Sequence, residues 1–311
     1  MRQADFVHLH LHSAYSLLQS TIRLPLLVKK AREYRLPALA ITDHGNLLGC
    51  IEFYDLAYSN GIKPIIGCEL ALDSLEGVDP ERSATSETAN HIVLLAKNRK
   101  GYQNLLQLIT KAHSQGWQQD ARVSASQLYE HHRGLIILSG CHWGEIATLL
   151  SKDDHQRAKA RAAEYLEVFG RENFFIELQP VLTDPQRVLN EGLLTLARQL
   201  DVQVVATTNS HTLDPGEVEI INILKAIRLG TTVKEIPPAT ECAFLSPEEM
   251  KVEFSHLPEA VAATLAIAER CNLDLDLGKI RIPRFPLEKG QEPMAILGQK
   301  AREGLQGQLL A

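Results

Sequence analysis

Nothing in this sequence approaches the run of about 18 apolar residues that a membrane-crossing helix requires, and its opening, MRQADFVHLHLHS, lacks the apolar core of a secretion signal. Cysteine is sparse: five residues, at 50, 68, 141, 242 and 271, form an odd, widely spaced set with no CxxC. That pattern argues for free thiols in a reducing compartment and against a disulfide framework. A basic excess is missing too. The 32 Lys and Arg are outnumbered by 38 Asp and Glu, for a net charge of -6. No basic stripe can therefore hold nucleic acid by bulk charge, and such a ligand would have to be met through metal ions or a partner. Internal repeats and low-complexity tracts are also absent. The expectation is a soluble, cytoplasmic protein that does not associate with membranes.

What is present is regular alternation. The 311 residues, 45% of them hydrophobic, suffice for one large domain. Short apolar runs fall at 6–11, 37–42, 63–67, 91–96, 135–139, 174–178 and 202–207. Helical patterns intervene at 24–35, 47–59, 102–113, 156–169 and 185–200. Strands alternating with helices predict an α/β fold, a parallel sheet or barrel. The stretch 73–90 is polar and aperiodic and reads as a mobile surface excursion, and 228–242 is a second irregular segment. Ser246-Pro-Glu-Glu opens a helix with Pro in first position, 258–270 is another helix, and the Gly- and Gln-rich tail from about 287 is weakly helical.

The chemistry-bearing residues sit at the ends of the apolar runs. His8, His10 and His12 lie in and just after the first, and residues two apart on a strand share a side. Asp43 and His44 follow the second run, Glu69 the third, Cys141 the fifth, and Asn209 and His211 the last; His91 opens the fourth. In a parallel barrel the carboxyl ends of the strands make one rim, where active sites are built. Taken singly, each of these residues has an ordinary structural reading: a hydrogen-bonded His, a capping Asp, a buried Cys. Jointly placed, imidazole, carboxylate and thiolate suit Zn²⁺, Mn²⁺ or Fe²⁺. The candidates are too many for one tetrahedral ion, and clusters of two or three ions activate water and clamp phosphate oxygens. The remaining histidines, 113, 131, 132, 142, 155 and 256, read as solvated or core residues.

The combination His10-x-His12-Ser13, Thr42-Asp43-His44-Gly45-Asn46, Gly67-Cys68-Glu69, Ser139-Gly140-Cys141 and Asn209-x-His211 resembles the PHP superfamily of metal-dependent phosphoesterases. FVHLHLHSAYSLL, ALAITDHGNLLG, IKPIIGCE, LLAKNRKGYQNLL, LPEAVAATLAIAERCNLDLDLGK and PRFP are similar to its polymerase branch, the PHP domains of bacterial DNA polymerase III alpha subunits, over about residues 6–286. The resemblance implies a distorted seven-stranded (β/α) TIM-like barrel over residues 1–286, with one to three divalent ions, zinc, manganese or iron rather than magnesium. It implies His10, His12, His44, Glu69, His91, Cys141 and His211 as ligands, with Asp43 behind them orienting its neighbour. Two positions depart from the pattern: Gln19 and Asn209 stand where metal-binding members carry acids, which should weaken the ion held there. The resemblance further implies that residues 287–311 begin a linker toward a polymerase region not included in this sequence. The chain is then a piece of a longer protein that cannot polymerise DNA by itself. DNA and replisome subunits such as a proofreading exonuclease would be its partners.

Three functions follow as expectations. The first is 3′-5′ exonuclease chemistry on DNA, a proofreading activity. The second is a mainly structural domain that braces the polymerase and docks a proofreading subunit, as the two amide departures suggest. The third, a small-molecule phosphatase of the histidinol-phosphatase type, explains the ligands but not the polymerase-branch stretches.

Overall fold

The structure, a computed structural model, describes residues 3–73, 89–114, 122–236, 242–279 and 285–309; the excursion expected at 73–90 falls, but for its ends, outside them. The strands are β1 (Ala38–Ile41), β2 (Lys63–Leu72), β3 (Asn90–Ala96), β4 (Arg122–Val123), β5 (Leu135–Leu138), β6 (Phe174–Leu178), β7 (Gln203–Ala206), β8 (Ser210–Thr212) and β9 (Cys242–Ala243). The helices are α1 (Leu24–Glu33), α2 (Cys50–Ser59), α3 (Arg99–Ser114), α4 (Ala125–Glu130), α5 (Glu145–Ser151), α6 (His155–Phe169), α7 (Asp184–Leu200), α8 (Val218–Leu229), α9 (Pro247–Glu253), α10 (Pro258–Arg270) and α11 (Pro293–Leu309). The chain divides into a body, Met1–Asp274, and a second unit, Leu275–Ala311, which contains α11.

Local chemistry sets the helix starts. Ser246 and Glu249 form a reciprocal capping box ahead of α9, with Pro247 in its first turn. Ser124 and Gln127 do the same for α4, and Thr183 caps α7 before Pro185. Proline also occupies the first turn of α10.

The main sheet runs in the order β1-β2-β3-β5-β6-β7, with β4 beside β2. The all-parallel expectation needs correction, because β3 is antiparallel to both β2 and β5. The extended stretch 6–12 lies between β1 and β8, the latter paired with β9 outside the main sheet. On one side Ala40 N–H donates to His8 O at 2.9 Å and Thr42 N–H to Leu11 O at 2.8 Å; on the other, His12 N–H donates to Ser210 O at 2.9 Å. Six strands on the sheet path plus this stretch make a distorted seven-stave α/β barrel of TIM-like type.

Strand alternation sorts the core into two clusters. Ile65, Val93, Leu95, Ile136, Leu138, Phe175 and Val205 pack together inside the barrel with Val7 and Leu9. Their neighbours Ile92, Leu94, Ile137, Phe174 and Ile176 face outward, beneath the helices. Both faces of the strands are thus apolar, as strands covered on both sides require. Each such large side chain contributes roughly 1.5–3 kcal/mol by leaving water. Ile267 and Ala268 of α10, and Cys271 just after it, join the inner cluster. Lys63 Nζ donates to Ala268 O and Asn272 N–H to Lys97 O, each at 2.7 Å. The last turn of α10 therefore closes the barrel end at which β2 begins and the reversed β3 finishes, leaving the opposite rim open to the site.

Candidate metal centre

The reversal of β3 places His91. A residue that opens an antiparallel strand lies at the same rim as residues that close parallel ones, so His91 faces Glu69, near the end of β2. Both share the inward alternation of the core, His91 with Val93 and Leu95, Glu69 with Ile65. His44 reaches the rim on the loop after β1, which pairs with β2 beyond the strand: Gly45 N–H donates to Glu69 O at 2.8 Å and Glu69 N–H to Asp43 O at 3.2 Å. Gly45 itself has φ 65°, a left-handed turn that frees the loop to swing outward. His113 Nε2 donates to Gly45 O at 2.8 Å, so this histidine of α3 buttresses the loop. Gly140 has φ 85°, and a Cβ there would lie 2.7 Å from His91 O. The glycine of Ser139-Gly140-Cys141 thus lets that loop close over the His91 backbone.

Four imidazoles converge on the Glu69 carboxylate. Its Oε2 lies 3.2 Å from His44 Nδ1 and 3.3 Å from His12 Nε2. Its Oε1 lies 3.4 Å from His91 Nδ1 and 3.5 Å from His10 Nε2, within ion-pair range, yet accepts no hydrogen bond although fully buried. Among the described residues, two groups bring their ligand atoms within 4.8 Å of one another: His10, His12 and Glu69, and His44, Glu69 and His91. Glu69 is common to both.

The proton positions can be read from the partners. His10 Nδ1 is 2.7 Å from Glu177 Oε1, a carboxylate oxygen that only accepts, so that nitrogen carries hydrogen. His12 Nδ1 is 3.1 Å from Ser16 Oγ, whose single proton goes to Asp43 Oδ1 at 2.7 Å, so this nitrogen also donates. The two Nε2 atoms then face each other at 3.2 Å. Two lone pairs at that distance repel unless a cation or a proton lies between them. This observation, with the bare Glu69 oxygen, is the test that a divalent metal passes: the residues offer two neutral imidazole donors and a carboxylate around a space that wants positive charge.

Electrostatics agree. Burial would raise the Glu69 carboxyl, but His91, His10 and His44 outweigh it and hold the group well below the usual carboxylate range. Burial would lower the His10 imidazole, but Glu177 and Glu69 overturn that and hold it up at about 10. Burial, with His211 alongside, pushes His12 well down, and burial lowers His44. When metal is removed by a chelator, the His10 proton is expected to fill the gap. A folded-state value of about 10 against the ordinary 6.5 means that its contribution to stability is complete below pH 6.5 and lost as pH rises through about 10. The urea midpoint of chelated protein should therefore fall between pH 7 and pH 10.5, and fall further than that of zinc-loaded protein; equal slopes would contradict the assignment.

The other expected residues lie around this cluster. Asp43, 2% exposed, accepts from Ser13 N–H at 2.6 Å, Ser13 Oγ at 2.7 Å and Ser16 Oγ at 2.7 Å. Ser16 Oγ in turn accepts from His44 N–H at 3.0 Å. Asp43 thus reaches His12 and His44 through one hydroxyl. His211 stacks on His12 with centroids 4.3 Å apart. Its Nδ1 donates to the backbone carbonyl of Gln19 at 2.9 Å, and its Nε2 lies 3.1 Å from the Asn209 amide. Both departures from the acidic pattern therefore meet at this one ring, Gln19 through its backbone rather than its side chain. Asn209 adopts φ 46°, a left-handed conformation that Asn tolerates. Cys141 is buried beside the His91 strand, and its Sγ accepts from Trp143 N–H at 3.5 Å; neither it nor His211 falls in the two close groups. His8 serves the core: it contacts Thr208 Oγ1 and Leu245 O and stacks on Phe244, and burial lowers it to about 3. Sequence reasoning missed Glu177. Its one signal was a lone acid inside the apolar strand Phe-Phe-Ile-Glu-Leu.

A rim that gathers imidazoles around a shared, buried carboxylate defines an α/β barrel with a candidate metal centre. The chain belongs to the PHP domain family, which matches residues 8–180. It is 37% identical over 316 residues to the DNA polymerase III subunit alpha of Thermus aquaticus, covering 96% of this chain and 26% of that protein. It is 34% identical over 321 residues to the subunit of the same name from Chlamydia muridarum, covering 92% and 26%. The chain thus spans about a quarter of the length of these curated relatives. A solved Bifidobacterium adolescentis structure, provisionally assigned as a metal-dependent phosphoesterase, is 13% identical with a TM-score of 0.45, covering 79% of this chain and 96% of that one. No helix among the described residues is long and apolar enough to cross a membrane.

Proposed function

We propose that the rim binds two divalent cations, zinc, manganese or iron, and that it hydrolyses phosphodiesters at DNA 3′ ends within the PHP region of a replicative DNA polymerase III alpha subunit. The observation that carries the reading is the Glu69 carboxylate surrounded by four imidazole nitrogens at 3.2–3.5 Å. Imidazole-rich donor sets favour these metals over magnesium, which prefers oxygen. His10 and His12 with Glu69 would hold one ion, and His44 and His91 with Glu69 the other. Cys141 and His211 would stand at the edge of the pocket. A third ion is not proposed, because Cys141 and His211 fall outside both close groups and Gln19 and Asn209 bring no negative charge. When bound, such ions supply Lewis acidity to phosphate oxygens and activate water. The protein's own part is to fix the ligand tautomers, keep Glu69 ionised and shield the cluster. In this reading residues 287–311 begin the linker toward the polymerase region, the protein is cytoplasmic, and DNA and other replisome subunits are its partners.

The test is plasma emission to count ions per chain, paired with digestion of 3′-labelled DNA. Metal-loaded protein is expected to release terminal nucleotides, and a chelator to stop it. Protein that holds its ions yet cuts no faster than the chelated control would end the nuclease reading and leave the metal centre standing. The amides at His211 favour a second reading, a structural brace that docks a proofreading subunit. In that case the chelator would lower the melting temperature and weaken capture of that subunit without any DNA being cut. Hydrolysis of a chromogenic phosphate monoester far faster than DNA would instead point to a small-molecule phosphatase.

A further inference from the structure

We infer that Glu177, a β6 residue outside both ligand groups, is the positioning residue that commits His10 to metal binding and sets the affinity of the His10–His12–Glu69 position. The inference rests on the reading of the rim as a metal centre and names a residue on which that centre depends.

Three features of the structure carry it. The first is placement. Strand alternation puts Phe175 in the inner cluster, and two residues on it puts Glu177 inside as well, at the rim end of the strand. Its backbone is pinned there: Glu177 N–H donates to Ser139 Oγ at 2.9 Å, the serine of Ser139-Gly140-Cys141. The second is crowding. Oε1 accepts from His10 Nδ1 at 2.7 Å, from the Thr207 hydroxyl, and from Gln179 Nε2 at 3.3 Å. The third is its partner oxygen, Oε2, which is buried with no hydrogen bond. The residue as a whole is 1% exposed.

A purely structural hub would not need this residue. A glutamine oxygen could accept the same three donors without a buried charge, which is costly away from water. What the carboxylate adds is directed at His10. It holds the proton on Nδ1, so that the Nε2 lone pair is presented to Glu69 and His12, and it makes the ring a more electron-rich donor. Carboxylates placed behind metal-binding imidazoles act in this way, and their loss typically weakens metal affinity by about 10–100-fold.

The experiment is a Zn²⁺ titration against a competing chromogenic chelator, on the full chain, for wild type, Glu177→Gln and Glu177→Asp. Glu177→Gln keeps the shape and removes the charge; it is expected to bind Zn²⁺ about 10–100-fold more weakly while its chelated form still unfolds in one cooperative transition. Glu177→Asp keeps the charge but withdraws it from His10, and should lose affinity as well. It carries the comparison if the glutamine variant does not fold. Wild type that binds Zn²⁺ while both folded variants bind it equally well would overturn the role of Glu177 and leave the metal centre intact. Wild type that binds no Zn²⁺ would overturn the metal centre, and this inference with it.

Discussion

Glu69→Gln is expected to reduce divalent-metal affinity by at least about 100-fold, roughly 2.8 kcal/mol at 1.4 kcal/mol per decade, and to drop DNA hydrolysis to background. Glu69 is the one residue common to both candidate ligand groups. Glutamine matches its shape but changes it in two ways. Each ion loses a negative ligand, and unit charges about 4 Å apart interact by about 4 kcal/mol at the effective dielectric of a protein surface. The amide nitrogen also donates hydrogen, so whichever imidazole lone pair it meets, at His12 and His44 on one side or His10 and His91 on the other, is capped rather than left for a metal. The chelated variant should also respond differently to acid. In the wild type the depressed Glu69 carboxyl stabilises the fold above the ordinary value of 4.5, and that stability is lost as pH falls below it. The variant should lack this acid-side loss. Metal counts and chelator competition check the first effect, and urea midpoints at pH 3 to 6 the second. Full-strength metal binding by Glu69→Gln would mean that the four imidazoles surround the carboxylate for another reason.

Much of this site was legible because barrel topology converts strand ends into neighbours. His10, His12, His44, Glu69 and His91 are scattered over about 80 positions of sequence, yet each borders a short apolar run. The expected all-parallel arrangement should have put His91 at the wrong end of its strand; the antiparallel turn of β3 reconciles its position with the rim. Strand direction is not written in a seven-residue apolar segment, since both directions present the same alternation. Glu177 was hidden for a related reason. An acid near the end of an apolar strand looks like an exposed boundary residue, and only the closure of the barrel shows that β6 is buried throughout. The stretch 6–12 reads as a strand and is extended, but its neighbours meet it through few backbone bonds, supplemented by the Thr42 hydroxyl, to which Leu11 N–H donates at 2.9 Å. Gln19 meets His211 through its backbone carbonyl rather than its side chain; the sequence carries no information on which of the two turns inward.

Two substitutions at Asp43 test the hydrogen-bond chain that orients His12. Asp43→Ala is expected to destabilise the protein by about 3 kcal/mol, because it strands a buried backbone N–H at Ser13 and removes the acceptor of two hydroxyls, each such loss costing about 1–3 kcal/mol before the hydroxyls find new partners. Relief of the carboxyl's own burial, which holds its pKa raised against the pull of Ser16 and Ser13, offsets part of this loss. Asp43→Asn should leave most of the stability in place, since the amide oxygen can still accept from Ser13 N–H. The same oxygen position, Oδ1, also accepts from Ser16 Oγ, so the serine keeps its proton directed at residue 43 and His12 Nδ1 still donates to it. The amide nitrogen takes the place of Oδ2 and meets Ser13 Oγ instead. In Asp43→Ala the Ser16 proton loses its acceptor and can turn to His12 Nδ1, 3.1 Å away, which would move the imidazole proton to Nε2, the atom that faces Glu69 at 3.3 Å. Alanine should therefore weaken metal binding about 10–100-fold, while asparagine stays near wild type. The ordering is the check: alanine worse than asparagine in both stability and metal affinity. Alanine at full affinity would show that the Asp43–Ser16–His12 chain does not govern the His12 proton.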